Sequence, residues 1–133
     1  MAALGDRPLI DYTLKPAMAA AEIDRLIITS DDAEVLAYAE NLGIDVSYKR
    51  PAMLSKDETT SADTVLHALD WFRDNHGCDP HLLMLLQVTS PFRPATAIGD
   101  ACRLINGGDA VVGVAQLPVG TNSIRHLSVD GYL

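Results

Sequence analysis

Apolar residues recur along this chain with two spacings, and the spacing switches at short intervals. Over residues 8–21, Ile10, Leu14, Ala17, Met18 and Ala21 share one face at helical spacing, which predicts an amphipathic helix. Pro16 interrupts that run and is expected to kink or split it, because it removes a helical donor and crowds the preceding turn. Arg25 to Thr29 is a short β-branched run that reads as a buried strand. Asp31 or Asp32 then offers the N-cap of a helix with Val35, Leu36, Ala39 and Leu42 inward, and Gly43 stands where it would end.

Asp45 to Tyr48 reads as a second strand, followed by a loop from Arg50 to about Thr60. Ser61 begins a helix whose inner face is expected to be Val65, Leu66, Leu69 and Phe72. His81 to Gln87 is the clearest strand in the chain. Pro94 fits the first turn of another helix, with Ile98, Ala101, Cys102 and Ile105 inward. Asn106-Gly107-Gly108 should stop it, Ala110 to Val114 reads as a further buried strand, and Ile124 to Val129 as a strand entering a hairpin at Asp130-Gly131. No internal repeat, low-complexity tract or linker interrupts the series.

Apolar strands alternating with amphipathic helices predict an α/β domain, with a mostly parallel sheet between helices on both faces. Composition agrees with one such domain over residues 1–133: 48% of the residues are hydrophobic and 21% charged, the balance of a compact chain rather than a disordered one. The formal charge of −8 argues against a nucleic-acid binder, which needs clustered Lys and Arg. Cys78 and Cys102 lack a CxxC or His-spaced partner, so reduced thiols and a cytoplasmic setting are expected, with no structural zinc. Met1 to Asp6 has neither the basic nor the long apolar stretch of a secretory signal. Apolar runs such as Leu82 to Leu86 are far too short to span a membrane.

Ligands of such sheets bind beyond the carboxyl ends of the strands. Those ends here are Thr29-Ser30-Asp31-Asp32, Lys49-Arg50-Pro51 and Gln87-Val88-Thr89-Ser90-Pro91-Phe92-Arg93. Together they would bring hydroxyls, an amide and cations to one edge, as a nucleotide requires. Each also has a plainer reading. Thr-Ser-Asp before a helix suits a cap, Arg beside Pro suits a surface ion pair, and Ser90-Pro91 suits a turn. Gln87 resists such a reading, because an amide ending the run Leu82 to Leu86 needs partners.

In order and spacing, these segments resemble the acylneuraminate cytidylyltransferases and their relatives for other nonulosonic acids, from Pro8 to about Val114. Pro8-Leu9-Ile10-Asp11-Tyr12-Thr13 resembles the family's first helix, and Arg25 to Asp31 its strand ending in Ser-Thr-Asp, with Thr29-Ser30 in inverted order. Arg50-Pro51-Ala52-Met53-Leu54, with Asp57 and Ser61, resembles the Arg-Pro-x-x-Leu segment and its following serine. Leu85 to Arg93 resembles the signature Leu-Gln-Pro-Thr-Ser-Pro-Leu-Arg, with Val88 for proline and Phe92 for leucine.

The resemblance implies a Rossmann-like nucleotide-diphospho-sugar transferase fold and transfer of CMP from CTP to a sialic-type sugar acid, with release of pyrophosphate. It implies Mg²⁺ as cofactor, Arg50 and Ser61 as nucleotide-binding residues, and Gln87, with Thr89 and Ser90 beside it, as sugar-binding residues. It assigns no catalytic residue and no metal ligand; Asp31 and Asp32 read as cap and surface residues. The family's first strand and its basic loop, Ala-Arg-x-x-Ser-Lys-Gly-x-x-x-Lys-Asn, have no counterpart here, and Met1 to Arg7 matches only the tail of that region. The family's later half, with its paired aspartates and dimerisation segment, has no counterpart either. A partial nucleotidyltransferase domain, truncated at both ends, is therefore expected. Its segments 25–29 and 82–87 would either be separated by a gap or pair directly, and the exposed edge would favour a homo-oligomer. The alternatives are a non-catalytic domain that binds nucleotide or a partner chain, and a 3-deoxy-octulosonate cytidylyltransferase.

Overall fold

In a computed structural model of the chain, which describes residues 1–105, 108 and 110–113, the first element is a hairpin that the hydrophobic pattern does not announce. Strands β1 (Ala3–Leu4) and β2 (Arg7–Pro8) pair antiparallel, with Ala3 opposite Pro8 and Leu4 opposite Arg7. Gly5 in the turn has φ +66°, a left-handed conformation that a residue without Cβ adopts at little cost. Tyr12 fastens the hairpin to the first helix. Its hydroxyl donates to the Leu4 carbonyl at 2.9 Å, and the Arg7 guanidinium lies 4.6 Å from its ring centre.

That helix, α1 (Asp11–Ala19), runs through Pro16 without splitting. The proline withholds one donor, while Leu14 and Ala17 on either side of it are almost fully buried and hold the helix down. The buried stripe is Ile10, Thr13, Leu14, Ala17 and Ala20; Met18 and Ala21, expected inward, are exposed. The helix ends at Ala19, so Ala21 lies past it and Met18 falls on its outer side.

Helix α2 (Ala33–Asn41) is capped by Asp32, whose Oδ1 accepts from the Glu34 amide at 2.8 Å and the Val35 amide at 3.4 Å. It ends as expected at Gly43, φ +81°, with the Gly43 amide bonding the Glu40 carbonyl and the Ile44 amide the Ala39 carbonyl, a Schellman arrangement. Helix α3 (Ser61–His76) starts at Ser61 behind Thr60 and stops at Gly77, φ +69°. Phe72 is buried and Val65 and Leu69 half-buried, but Leu66, expected inward, is exposed. His67 takes the inward place instead, packed on Tyr48. Helix α4 (Ala95–Leu104) has Pro94 at its N-cap and Ile98 on its buried face. Gly99 of α4 admits the Glu22 carboxylate so closely that a Cβ would stand 2.5 Å from its Oε1.

Two apolar clusters hold these elements. The first joins Ile10 and Leu14 of α1 with Ile28, Ala39 and Ile44; the second joins Ala17, Ala20 and Ile98. Leu26 packs against both, Val88 against the first and Leu86 against the second.

The segments expected as strands at 25–29, 45–48 and 82–87 carry no ladder of backbone hydrogen bonds, and among the described residues the hairpin is the only sheet. Sharing a side-chain cluster, as 25–29 and 82–87 do, is not pairing: a strand needs a neighbour at ~4.8 Å with matched donors and acceptors. Ala110 to Gly113 is exposed rather than buried. Val114 and the expected hairpin at 124–131 lie outside the described residues, as do Asn106 and Gly107.

Candidate functional site

Ser61 is placed by a capping box. The Thr60 hydroxyl oxygen accepts from the Asp63 amide at 3.1 Å, and the Thr60 amide donates to Asp63 Oδ2 at 3.1 Å. The Thr60 bonds hold the Asp63 carboxyl below its usual range. This frees the Ser61 side chain from capping duty, and its Oγ accepts from Gln87 Nε2 at 3.2 Å. Gln87 reaches it because Leu86 and Val88, on either side, are drawn into the two apolar clusters. The Ser90 amide donates to the Gln87 carbonyl at 3.1 Å, closing a turn that leaves Thr89 and Ser90 exposed beside Gln87.

Arg50 sits at the end of a segment anchored by Tyr48, which is almost fully buried. The Tyr48 ring packs edge-on against Trp71, 5.4 Å between centroids, and its hydroxyl lies 3.1 Å from His67 Nδ1. Burial pushes the Tyr48 phenol above its usual value, against the opposing influence of Thr29 and Arg50. Two residues on, Arg50 Nη2 is ion-paired with Asp31 Oδ1. The guanidinium holds the Asp31 carboxyl below the usual range.

Among the described residues, three buried atoms in this neighbourhood find no hydrogen-bond partner of proper geometry: Arg50 Nε, Thr29 Oγ1 and Ser55 Oγ. Tyr48 lies beside Thr29 and Asp31 beside Ser55, yet neither hydroxyl makes a bond of proper geometry.

The arrangement brings Ser61 and Gln87 into contact and gives Arg50 an acidic partner. Helix α3 links the two, starting at Ser61 and reaching Tyr48 through His67. Arg93 goes elsewhere: it lines an open cleft of about 410 Å³ with Arg7, Tyr12, Lys15 and Phe92. Among the described residues no group of three or more His, Cys, Asp or Glu could hold a metal ion, and the expected Mg²⁺ has no ligand assigned here.

Reading Asp32 as a cap holds. Asp31, read as a cap or surface residue, is half exposed but bound to Arg50. From sequence Thr29 is marked only as part of the polar segment Thr29 to Asp32, and nothing local marks Ser55 or the Tyr48–His67 pair.

A cytidylyltransferase family model matches residues 1–117. An N-acylneuraminate cytidylyltransferase of Escherichia coli O18:K1:H7 is 35% identical over 99 residues, covering 74% of this chain and 22% of that protein. An enzyme of the same name from Streptococcus agalactiae serotype V is 31% identical, covering 97% of this chain and 31% of that protein. The CMP-N,N'-diacetyllegionaminic acid synthase of Legionella pneumophila is 27% identical, covering 98% of this chain and 56% of that protein. The chain thus spans between about a fifth and just over half the length of these curated relatives.

Proposed function

The chain belongs to the cytidylyltransferase family, and on that premise we propose that it serves a CMP-sugar synthetase reaction, moving the cytidylyl group of CTP to a nonulosonic sugar acid. A sugar hydroxyl attacks the α-phosphorus; the new O–P bond forms as the α–β bridging bond breaks, and pyrophosphate leaves. Positioning and charge neutralisation supply most of the acceleration in such a transfer. Arg50 and Ser61 bind the nucleotide, and Gln87, with Thr89 and Ser90, lines the sugar side. The observation that carries this reading is the 3.2 Å contact of Gln87 with Ser61, which joins the signature segment to the nucleotide segment.

The relatives' names point to several sugar acids, including legionaminic and pseudaminic types, which supports the class rather than one member. The wider reading includes a Rossmann-like, mostly parallel sheet in which 25–29, 45–48 and 82–87 are strands. Buried Ile44 and Tyr48 with half-buried Val46 between them, alternating with exposed Asp45, Ser47 and Lys49, support it. It also includes a homo-oligomer, supported by the exposed run Leu82 to Leu85, and a cytoplasmic setting. No described helix is long and apolar enough to cross a membrane. Magnesium enters as a requirement of the reaction, with no residue of this chain assigned to it.

Pyrophosphate release from CTP and Mg²⁺ with a panel of nonulosonic acids tests the reading. Arg50→Ala should raise the Michaelis constant for CTP roughly tenfold or more. Gln87→Ala should lower kcat/KM for the sugar acid. CTP binding without turnover by the unaltered chain would favour a nucleotide-binding domain instead.

A further inference from the structure

Arg50 and Asp31 stand at the ends of two different segments, and their ion pair is partly open to water, with 23% and 50% of the side chains exposed. A pair so placed contributes little to stability. What it does is geometric. Arg50 has one terminal nitrogen engaged by Asp31 while its Nε stays buried and unpartnered, and the unpartnered Thr29 and Ser55 hydroxyls belong to the same neighbourhood. A guanidinium is planar, so fixing one edge fixes the direction of the others. With Nε enclosed, the part of the Arg50 side chain that remains open to water is the part a ligand oxygen arriving from outside can reach.

We propose that Asp31 is the positioning residue for Arg50. It holds the guanidinium by one edge, so that the part of Arg50 still open to water faces an oxygen acceptor of the bound nucleotide. The inference rests on the nucleotide role proposed above for Arg50, and adds Asp31 to that site. Asp31 touches no ligand itself. Without it, the long Arg50 side chain regains its rotamers and binding must order it again, which weakens binding even though every ligand-facing donor remains.

The test uses the 133-residue chain labelled with ¹⁵N, following the Arg50 Nε–H resonance with and without CTP. The expected result is a slowly exchanging Arg50 Nε–H in the free protein that shifts on adding CTP. In Asp31→Asn and Asp31→Ala it should exchange fast, with CTP affinity reduced roughly tenfold. Asp31→Glu should restore part of both. Backbone amide spectra superimposable on the parent's show that each variant is folded. Equal Arg50 exchange and equal CTP affinity in Asp31→Ala and the parent would overturn the proposal. If the parent binds no CTP, the nucleotide reading fails by itself. The free-state exchange then decides the role of Asp31: protection lost in Asp31→Asn upholds it, and protection unchanged refutes it.

Discussion

Residues 44–48 and residues 82–86 both have the look of a strand, and they meet opposite fates. Ile44 and Tyr48 are buried, while Leu82, Leu83 and Leu85 are 54%, 51% and 46% exposed. The first run alternates, and its inward residues find cover: Ile44 in the cluster built by α1 and α2, Tyr48 under Trp71 and His67 of α3. The second is apolar at every position, so it needs cover on both faces, and only Leu86 and Val88 at its far end find any. An apolar run states a demand for burial. Whether the demand is met depends on the neighbours the chain brings to it.

Substitutions probe that difference. Tyr48→Ala should have the largest effect, lowering stability by about 3–5 kcal/mol, because a fully enclosed aromatic ring leaves a cavity. Urea denaturation measures it; a loss under about 1 kcal/mol would place residue 48 in an open setting like that of 82–85.

Next comes the acid response of Asp11, which ties α1 to α2 beneath the covered run. Burial raises its carboxyl, but the bonds from Lys15 and Tyr38 outweigh that and hold it below the usual range. Its folded value is thus lower than its unfolded one. The stabilisation is present above the ordinary carboxylate value, about pH 3.9, and is lost as pH falls through the folded value. Asp11→Asn should flatten the fall in urea midpoint on acidification; an unchanged slope would mean that Asp11 plays no part in it.

Thr60→Ala breaks the capping box that presents Ser61 and should cost about 1 kcal/mol. An unchanged urea midpoint would show that the box adds nothing to α3. Smallest is Leu83→Ala, expected to change stability by less than about 0.5 kcal/mol, as for an exposed side chain. A loss near that of a core leucine would mean that the run is covered in solution, and sedimentation at two concentrations would then show whether a second copy covers it.

Much of the site was legible because local chemistry marks it. Ser61 at a helix start follows from Thr60, Ser61 and Asp63 in sequence; the stop at Gly43 follows from backbone geometry alone; Gln87 stands out as an amide closing an apolar run. The Asp31–Arg50 pair was not legible, because nothing within the chain's local pattern says which carboxylate will meet which guanidinium. Nor was His67 beneath Tyr48, since an inward histidine at Leu66's expected place depends on how α3 is rolled against its neighbours.

The sequence by itself determined where α2 begins and ends, where α3 and α4 begin, and which family the chain belongs to, since caps, glycines and an ordered motif act over a few residues. Tertiary structure alone decided which apolar runs are covered, and that Ser61 meets Gln87 and Arg50 meets Asp31. Those contacts join residues 26 and 19 positions apart, and the packing that brings them together is a property of the whole assembly of helices. The signature segment shows both at once: its residues are fixed by motif, while the direction of Gln87 is set by the clusters that pull Leu86 and Val88 inward.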